Sequence, residues 1–233
     1  MPHVKFESVS VCFDETTVLK DINLELAEHR IGIIGANGSG KSTLTRLING
    51  LNFPTSGDVL VDGLNVEHHA RDIRRQVGFI FSDAENQIVM PTVREDVAFS
   101  LRRFALSKRE IRSRVDEMLH RFGLEEFADT SPHVLSGGQK QLLALSSVLI
   151  MEPSLIIADE PTTLLDLRNR DRLAREFAAL KQQLIVVTHD LDFVRDFDRV
   201  IVIDRGRIVA DSDARDAIQF YLQLMHDSPG DRL

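Results

Sequence analysis

Residues Gly35-Ala36-Asn37-Gly38-Ser39-Gly40-Lys41-Ser42 fit the pattern G-x-x-x-x-G-K-[ST]. Each residue type in that pattern has a task in holding a triphosphate. Glycines let the backbone turn through positive φ and bring N–H groups up to phosphate oxygens. A helix opening at Lys41 adds its positive dipole end. Lys41 is a point charge for the β- and γ-phosphates, and the Ser42 hydroxyl is a ligand for Mg2+. The phosphate-facing set runs from Gly35 through Thr43. A chance match would occur in about 1% of chains this long, but here an apolar strand precedes the loop and a helix follows it, as the mechanism demands. A dinucleotide fingerprint is disfavoured, because Thr43 stands where its third glycine would fall after Gly38 and Gly40.

A second acidic site lies at Leu155-Ile156-Ile157-Ala158-Asp159-Glu160. Side chains of adjacent residues at a strand end point in different directions. Asp159 can therefore face the magnesium shell while Glu160 faces the γ-phosphate, where a carboxylate accepts a proton from attacking water. Alone, such a pair would read as an acidic strand end in solvent; the phosphate loop in the same chain reverses that weighting. His189 ends another apolar strand, Leu184–Thr188. Parallel strands bring their C-terminal ends to one edge, where ligands bind, so His189 can reach the γ-phosphate as a hydrogen-bond donor. His68 and His69 sit in a polar stretch without ligand spacing and read as surface or core residues rather than ligands.

The elements that must position these groups are legible as runs and periods. Ile22, Leu24 and Leu26 alternate as in a half-buried strand. Residues 31–34 form a short strand, with a helix expected from Lys41 to about Leu51. Val77–Phe81, Leu155–Ala158 and Leu184–Val187 read as buried parallel strands. From Val93 to Ile150 the pattern turns helical: Ile111, Val115, Met118, Leu119 and Phe122 mark one apolar face, and Ser107 with Glu110 forms a capping box. Arg102, Arg103, Lys108, Arg109, Arg112 and Arg114, interleaved with acids, read as a solvated helix face. Ala214 to Met225 is a last amphipathic helix, before a polar end at Asp227 to Leu233. The expected fold is α/β: a P-loop, RecA-like core with a parallel sheet, an N-terminal antiparallel β portion and an inserted α-helical subdomain. One domain spans 1–226, with its core at about 1–82 and 152–226, the helical subdomain at about 83–151, and a polar tail at 227–233.

Composition sets the remaining bounds. The 233 residues carry 28 basic and 36 acidic side chains, a formal charge of −8. That is not the footprint of a protein that coats a polyanion. Cys12 is the only cysteine, so neither an internal disulfide nor a cysteine-pair zinc ribbon can form. The longest apolar runs are four residues, whereas a membrane helix needs about 20, and no signal-peptide pattern opens the chain. The expected location is the cytosol, and any link to a membrane must come through a partner.

Leu135-Ser136-Gly137-Gly138-Gln139 decides the family. Five such residues in order would arise by chance in well under ~1% of chains. With the phosphate loop, Asp159-Glu160 and His189 in this order, the chain resembles the ATP-binding cassette of ABC transporters over nearly its whole length. The resemblance implies ATP and Mg2+ as ligands. It also implies that Ser136, Gly137, Gly138 and Gln139 meet the ATP of a second cassette, identical or paralogous, packed head to tail. Asp166 matches the loop that crosses that interface, and Phe13 the aromatic that stacks on adenine.

The stretch Phe79 to Phe99, with Pro91-Thr92-Val93-Arg94-Glu95-Asp96-Val97-Ala98-Phe99, looks like the ATPase subunits of energy-coupling-factor importers. Those take up vitamins and transition-metal ions, and the likeness is greatest to the biotin-transporting branch. This implies a transmembrane coupling protein and a substrate-binding membrane subunit as partners, gripped near Ser82 to Glu95, with Ser82, Gln87 and Glu95 as coupling residues and no nucleic acid. The family has glutamine where this chain has Ser82, whose hydroxyl is too short for the same contact with magnesium and reaches it only through a water. Leu164 stands where the interface loop has a small residue. Two rival readings are a nucleic-acid-associated cassette ATPase, which would carry a long coiled coil or a second cassette, and a non-hydrolytic module switched by ATP.

Overall fold

The structure is a computed structural model, and it describes residues 1–163 and 165–227. Leu164 and the tail beyond Asp227 lie outside the described residues.

Strands β1 (Val4–Phe13) and β2 (Thr16–Leu26) pair antiparallel, with Val4 opposite Leu26, Phe6 opposite Leu24 and Val9 opposite Ile22. Their alternating apolar residues thus meet on one buried face. β4 (Ser56–Val61) and β5 (Leu64–Asn65) complete a four-stranded sheet, in the order β2-β1-β4-β5.

The second sheet carries the chemistry. It combines β3 (Arg30–Ile34), β6 (Val77–Ile80), β7 (Leu155–Asp159), β8 (Gln183–Val187), β9 (Arg199–Asp204) and β10 (Arg207–Ser212), in the order β10-β9-β3-β8-β7-β6. All neighbours are parallel except the edge strand β10. The three expected parallel strands are present. The β9–β10 hairpin is an addition to the expectation: Val200–Ile203 is a buried apolar run that turns at Arg205-Gly206.

Helix α1 (Lys41–Ile48) stops three residues short of the expected end. Gly50 sits at φ +67, and a Cβ there would stand 2.8 Å from Ala70, so the chain leaves the helix for a left-handed turn. Helix α2 (Val66–Gln76) was not expected; its apolar positions are Val66, Ala70 and Ile73 in a charged segment. His68 and His69 are exposed on it.

The helical block holds α3 (Val93–Phe99), α4 (Lys108–Phe122) and α5 (Gly137–Leu149). α4 opens on the expected Ser107–Glu110 capping box and ends at Gly123. The block shares its core with one face of the parallel sheet, since Leu119, Phe122 and Leu145 cluster with Ile156, Ala158 and Val186. α6 (Leu167–Ala178) and α7 (Ala214–Asp227) follow. Asp227, expected in the polar tail, closes α7.

Candidate active site

Register fixes the site. Ile33 of β3 and Asp159 of β7 both pair with Val187 of the strand between them. The chain therefore leaves β3 towards Gly35, β7 towards Glu160 and β8 towards His189 at one level of one sheet edge.

The phosphate loop is built around glycines that nothing larger could replace. A Cβ on Gly35 would fall 2.1 Å from the Ile203 carbonyl oxygen; one on Gly40, at φ +107, would fall 2.7 Å from Leu19 Cδ2. Buried Lys41 donates from Nζ to the carbonyls of Gly35 and Ala36, both at 2.9 Å. Burial pushes its ammonium below the ordinary lysine range, with Glu160 and Asp159 opposing that shift. Ser39 Oγ is buried without a hydrogen-bond partner among the described residues, which suits a phosphate oxygen arriving from outside. Asn37 and Gly38 lie in the same turn, and Thr43 in the first turn of α1.

Ser42 Oγ donates to Asp159 Oδ1 at 2.7 Å, and Arg46 Nη2 lies 3.5 Å from Asp159 Oδ2. Asp159 is 2% exposed. One hydroxyl and one buried carboxylate fit Mg2+, which takes few protein ligands and fills its shell with phosphate and water oxygens. Among the described residues no cluster of three His, Cys, Asp or Glu forms a cage.

Glu160 takes φ +51, a left-handed conformation costly for a residue with a Cβ, and its N–H donates to the Val187 carbonyl at 2.8 Å. This turn sends Glu160 away from Asp159, as the strand-end reading required. Its Oε2 lies 2.7 Å from His189 Nδ1 and accepts from the His189 N–H at 3.3 Å. His189 thus binds Glu160 here, rather than standing free as a donor to phosphate.

The other residues singled out form a second group. Ser136 caps α5 and exchanges bonds with Gln139: Ser136 Oγ accepts from Gln139 N–H at 3.3 Å, and Gln139 Oε1 accepts from Ser136 N–H at 2.8 Å. A Cβ on Gly138 would meet Asn169 at 2.4 Å, whereas one on Gly137 would meet no atom of the described residues within 4 Å. Asp166 caps α6 by accepting from Asn169 N–H at 2.8 Å. The Gly138–Asn169 contact sets the openings of α5 and α6 side by side. None of the described hydrogen bonds joins Ser136–Gln139 to the phosphate loop. Phe13 is 49% exposed at the tip of the β1–β2 hairpin, and Val18 of that hairpin lies against Gly40.

Ser82 lines a cavity of about 230 Å³ with Gln141, Gly137 and Thr163. Gln87 is committed elsewhere: its Oε1 accepts from Phe81 N–H at 3.2 Å and its Nε2 donates to the Phe79 carbonyl at 3.3 Å. Glu95 accepts from Thr92 Oγ1 at 2.9 Å at the start of α3. Its neighbour Asp96 went unnoticed in the sequence. It is 4% exposed and accepts from Val89 N–H, Met90 N–H and Ser147 Oγ, at 2.9, 3.1 and 3.2 Å. A lone acid at a helix start carries no sequence signal of burial.

A phosphate loop at the sheet edge beside a magnesium-type aspartate and a glutamate–histidine pair, with a capped helix carrying Ser136-Gly137, defines an ATP-hydrolysing cassette. A family model described as ABC transporter matches residues 19–163, and the chain belongs to that family as an ATPase that drives transport.

The chain is 46% identical over 222 residues to the biotin transport ATP-binding protein BioM of Rhizobium etli, covering 95% of this chain and 99% of that one. Among solved structures it is similar to cbiO1 from Clostridium perfringens, part of the ABC transporter complex cbiONQ (TM-score 0.82, 32% identity, 97% of this chain and 95% of that one). It is also similar to the dimeric cassette MJ0796 in a post-hydrolysis state bound to ADP and Pi (TM-score 0.81, 32% identity, 91% of this chain and 99% of that one).

Proposed function

We propose that this chain is the ATPase subunit of an energy-coupling-factor importer, powering uptake of a small solute: a vitamin, with biotin first, or a transition-metal ion. The observation that carries the chemistry is Glu160, a largely buried carboxylate held beside Asp159 at the phosphate loop. In the reaction, a water oxygen attacks the γ-phosphorus as its proton passes to Glu160. The bond between that phosphorus and the β–γ bridging oxygen breaks, leaving ADP and inorganic phosphate. Lys41 and the N–H groups of the loop hold the phosphates. Ser42 and Asp159 would hold Mg2+, which neutralises phosphate charge when bound. His189 holds Glu160, and its exposed ring is free to turn to the γ-phosphate when ATP binds.

Gly137 supports the two-cassette arrangement. Among the described residues nothing fills the space where a side chain would go, so they give no packing reason for a glycine. A partner's triphosphate arriving at the α5 N-terminus does, and Ser136, Gly138, Gln139 and Asp166 share that face. Phe13 offers its exposed ring to adenine.

A groove of about 180 Å³ between sheet and helical block, lined by Phe79, Gln87, Val89, Phe99 and Arg103, has room for a side chain or two projecting from a cytosolic helix of a transmembrane coupling protein. Such a protein would place the ATPase at the cytoplasmic face of the membrane, since no helix among the described residues can itself span one. The test is co-purification from native membranes, followed by ATP-dependent uptake of labelled biotin or a divalent transition-metal ion into proteoliposomes. Uptake of one of them, lost without ATP, is expected; a complex lacking membrane subunits, or uptake of neither, would overturn the reading.

A further inference from the structure

Arg170 grips Asp190 with two parallel bonds: Nε lies 2.6 Å from Oδ2, and Nη2 donates to Oδ1 at 2.7 Å. The pair is sheltered, with the Asp190 side chain 14% exposed and Arg170 30%. Asp190 is fixed further, since its N–H donates to Thr188 Oγ1 at 2.9 Å and its carboxylate accepts from Phe193 N–H at 3.4 Å. Asp190 directly follows His189, and Arg170 stands one helical turn past Asp166, donating from its N–H to the Asp166 carbonyl at 2.9 Å. Asp166, Arg170, His189 and Asp190 all line one open depression of about 940 Å³.

We infer that Arg170 is a positioning residue for hydrolysis, which fixes the backbone of His189 through Asp190 and ties it to the helix that carries Asp166. The His189 side chain is 64% exposed, so the ring turns while its backbone stays anchored. A forked guanidinium–carboxylate bond fixes direction as well as distance, which a surface ion pair does not. The inference rests on the two-cassette reading above: a partner that moves the Asp166 loop would move α6, and through this fork the His189 peptide.

The test uses the full chain with Arg170→Ala, Arg170→Lys, Arg170→Asp, Asp190→Arg, and the charge exchange that combines the last two. ATP affinity, ATPase kcat and KM, and thermal midpoint are measured for each. The expected pattern is an unchanged ATP affinity and a kcat lowered about ten- to hundredfold in the alanine variant, the scale of a catalytic group displaced by about an ångström. Lysine, without the fork, should restore kcat only in part, and the charge exchange should restore more than either of its single changes. A folded alanine variant with wild-type kcat would overturn the proposal. So would equal losses of kcat, ATP affinity and thermal midpoint, which mark a purely structural contact. If the alanine variant does not fold, the lysine variant decides: full wild-type kcat overturns the proposal. A folded wild type with no ATPase activity would instead refute the site reading, and this proposal with it.

Discussion

Glu160 Oε2 lies 2.7 Å from Nδ1 of His189 and accepts from the backbone N–H of the same residue at 3.3 Å. Among the described hydrogen bonds the other carboxylate oxygen makes none, so the histidine orients the base with one oxygen available to a water. His189→Ala should leave ATP affinity within about twofold and lower kcat by about 10²–10³, the scale of losing one aimed donor in a reaction site. Fluorescent-nucleotide binding with phosphate release checks both numbers. Unchanged kcat would remove His189 from the mechanism.

Gly137 and Gly138 are neighbours with opposite surroundings, open space at one and Asn169 at the other. Gly138→Ala should destabilise the monomer by about 1–3 kcal/mol through overpacking, read by urea denaturation. Gly137→Asp should unfold at the same denaturant concentration as wild type and bind ATP as a monomer, yet fail to pair and turn over, because a carboxylate would face the partner's triphosphate. Loss of ATP binding by the isolated Gly137→Asp monomer would contradict the assignment across the interface.

Ser82 has room around it, and Gln87 cannot stand in for the missing glutamine because both ends of its amide are bound to the Phe79–Phe81 backbone. Ser82→Gln should raise the ATPase rate of the isolated subunit, since an amide can both accept from and donate to the attacking water. Paired assays of hydrolysis and uptake on the same variant measure it. Unchanged hydrolysis would place Ser82 off the reaction path.

Asp96 ties α3 and the Val89-Met90 backbone to Ser147 of α5. Asp96→Ala should lower stability by about 1–3 kcal/mol, because it strands the buried Ser147 hydroxyl and two part-buried N–H groups. It should also loosen the groove that Val89 and Phe99 line, weakening co-purification of the membrane subunit. Chemical denaturation checks the first effect, and a wild-type value would contradict the role.

What the sequence made legible was local. The phosphate loop, Asp159-Glu160 and the Ser136-Gly137-Gly138-Gln139 run each lie within a few residues, and their types and order carry the signal. The strands β6, β7 and β8 were legible because burial on both faces leaves unbroken apolar runs. Helix α2 was hidden because Val66, Ala70 and Ile73 are a thin apolar stripe among charges. The β9–β10 hairpin had a signal, the run Val200–Ile203 before Arg205-Gly206. The Arg170–Asp190 fork joins residues on different elements, and only folding brings α6 against the end of β8.

The central claim is that Glu160 accepts the proton of the attacking water. The direct measurement is steady-state phosphate release from Mg-ATP by wild type and Glu160→Gln, with ATP binding measured on the same samples. A general base contributes about 10²–10⁴ in rate, or roughly 3–5 kcal/mol of barrier. Glu160→Gln should therefore bind ATP like wild type, accumulate the ATP-bound pair, and release phosphate at least about a hundredfold more slowly. Phosphate release within about twofold of wild type by a folded, ATP-binding Glu160→Gln would contradict the claim.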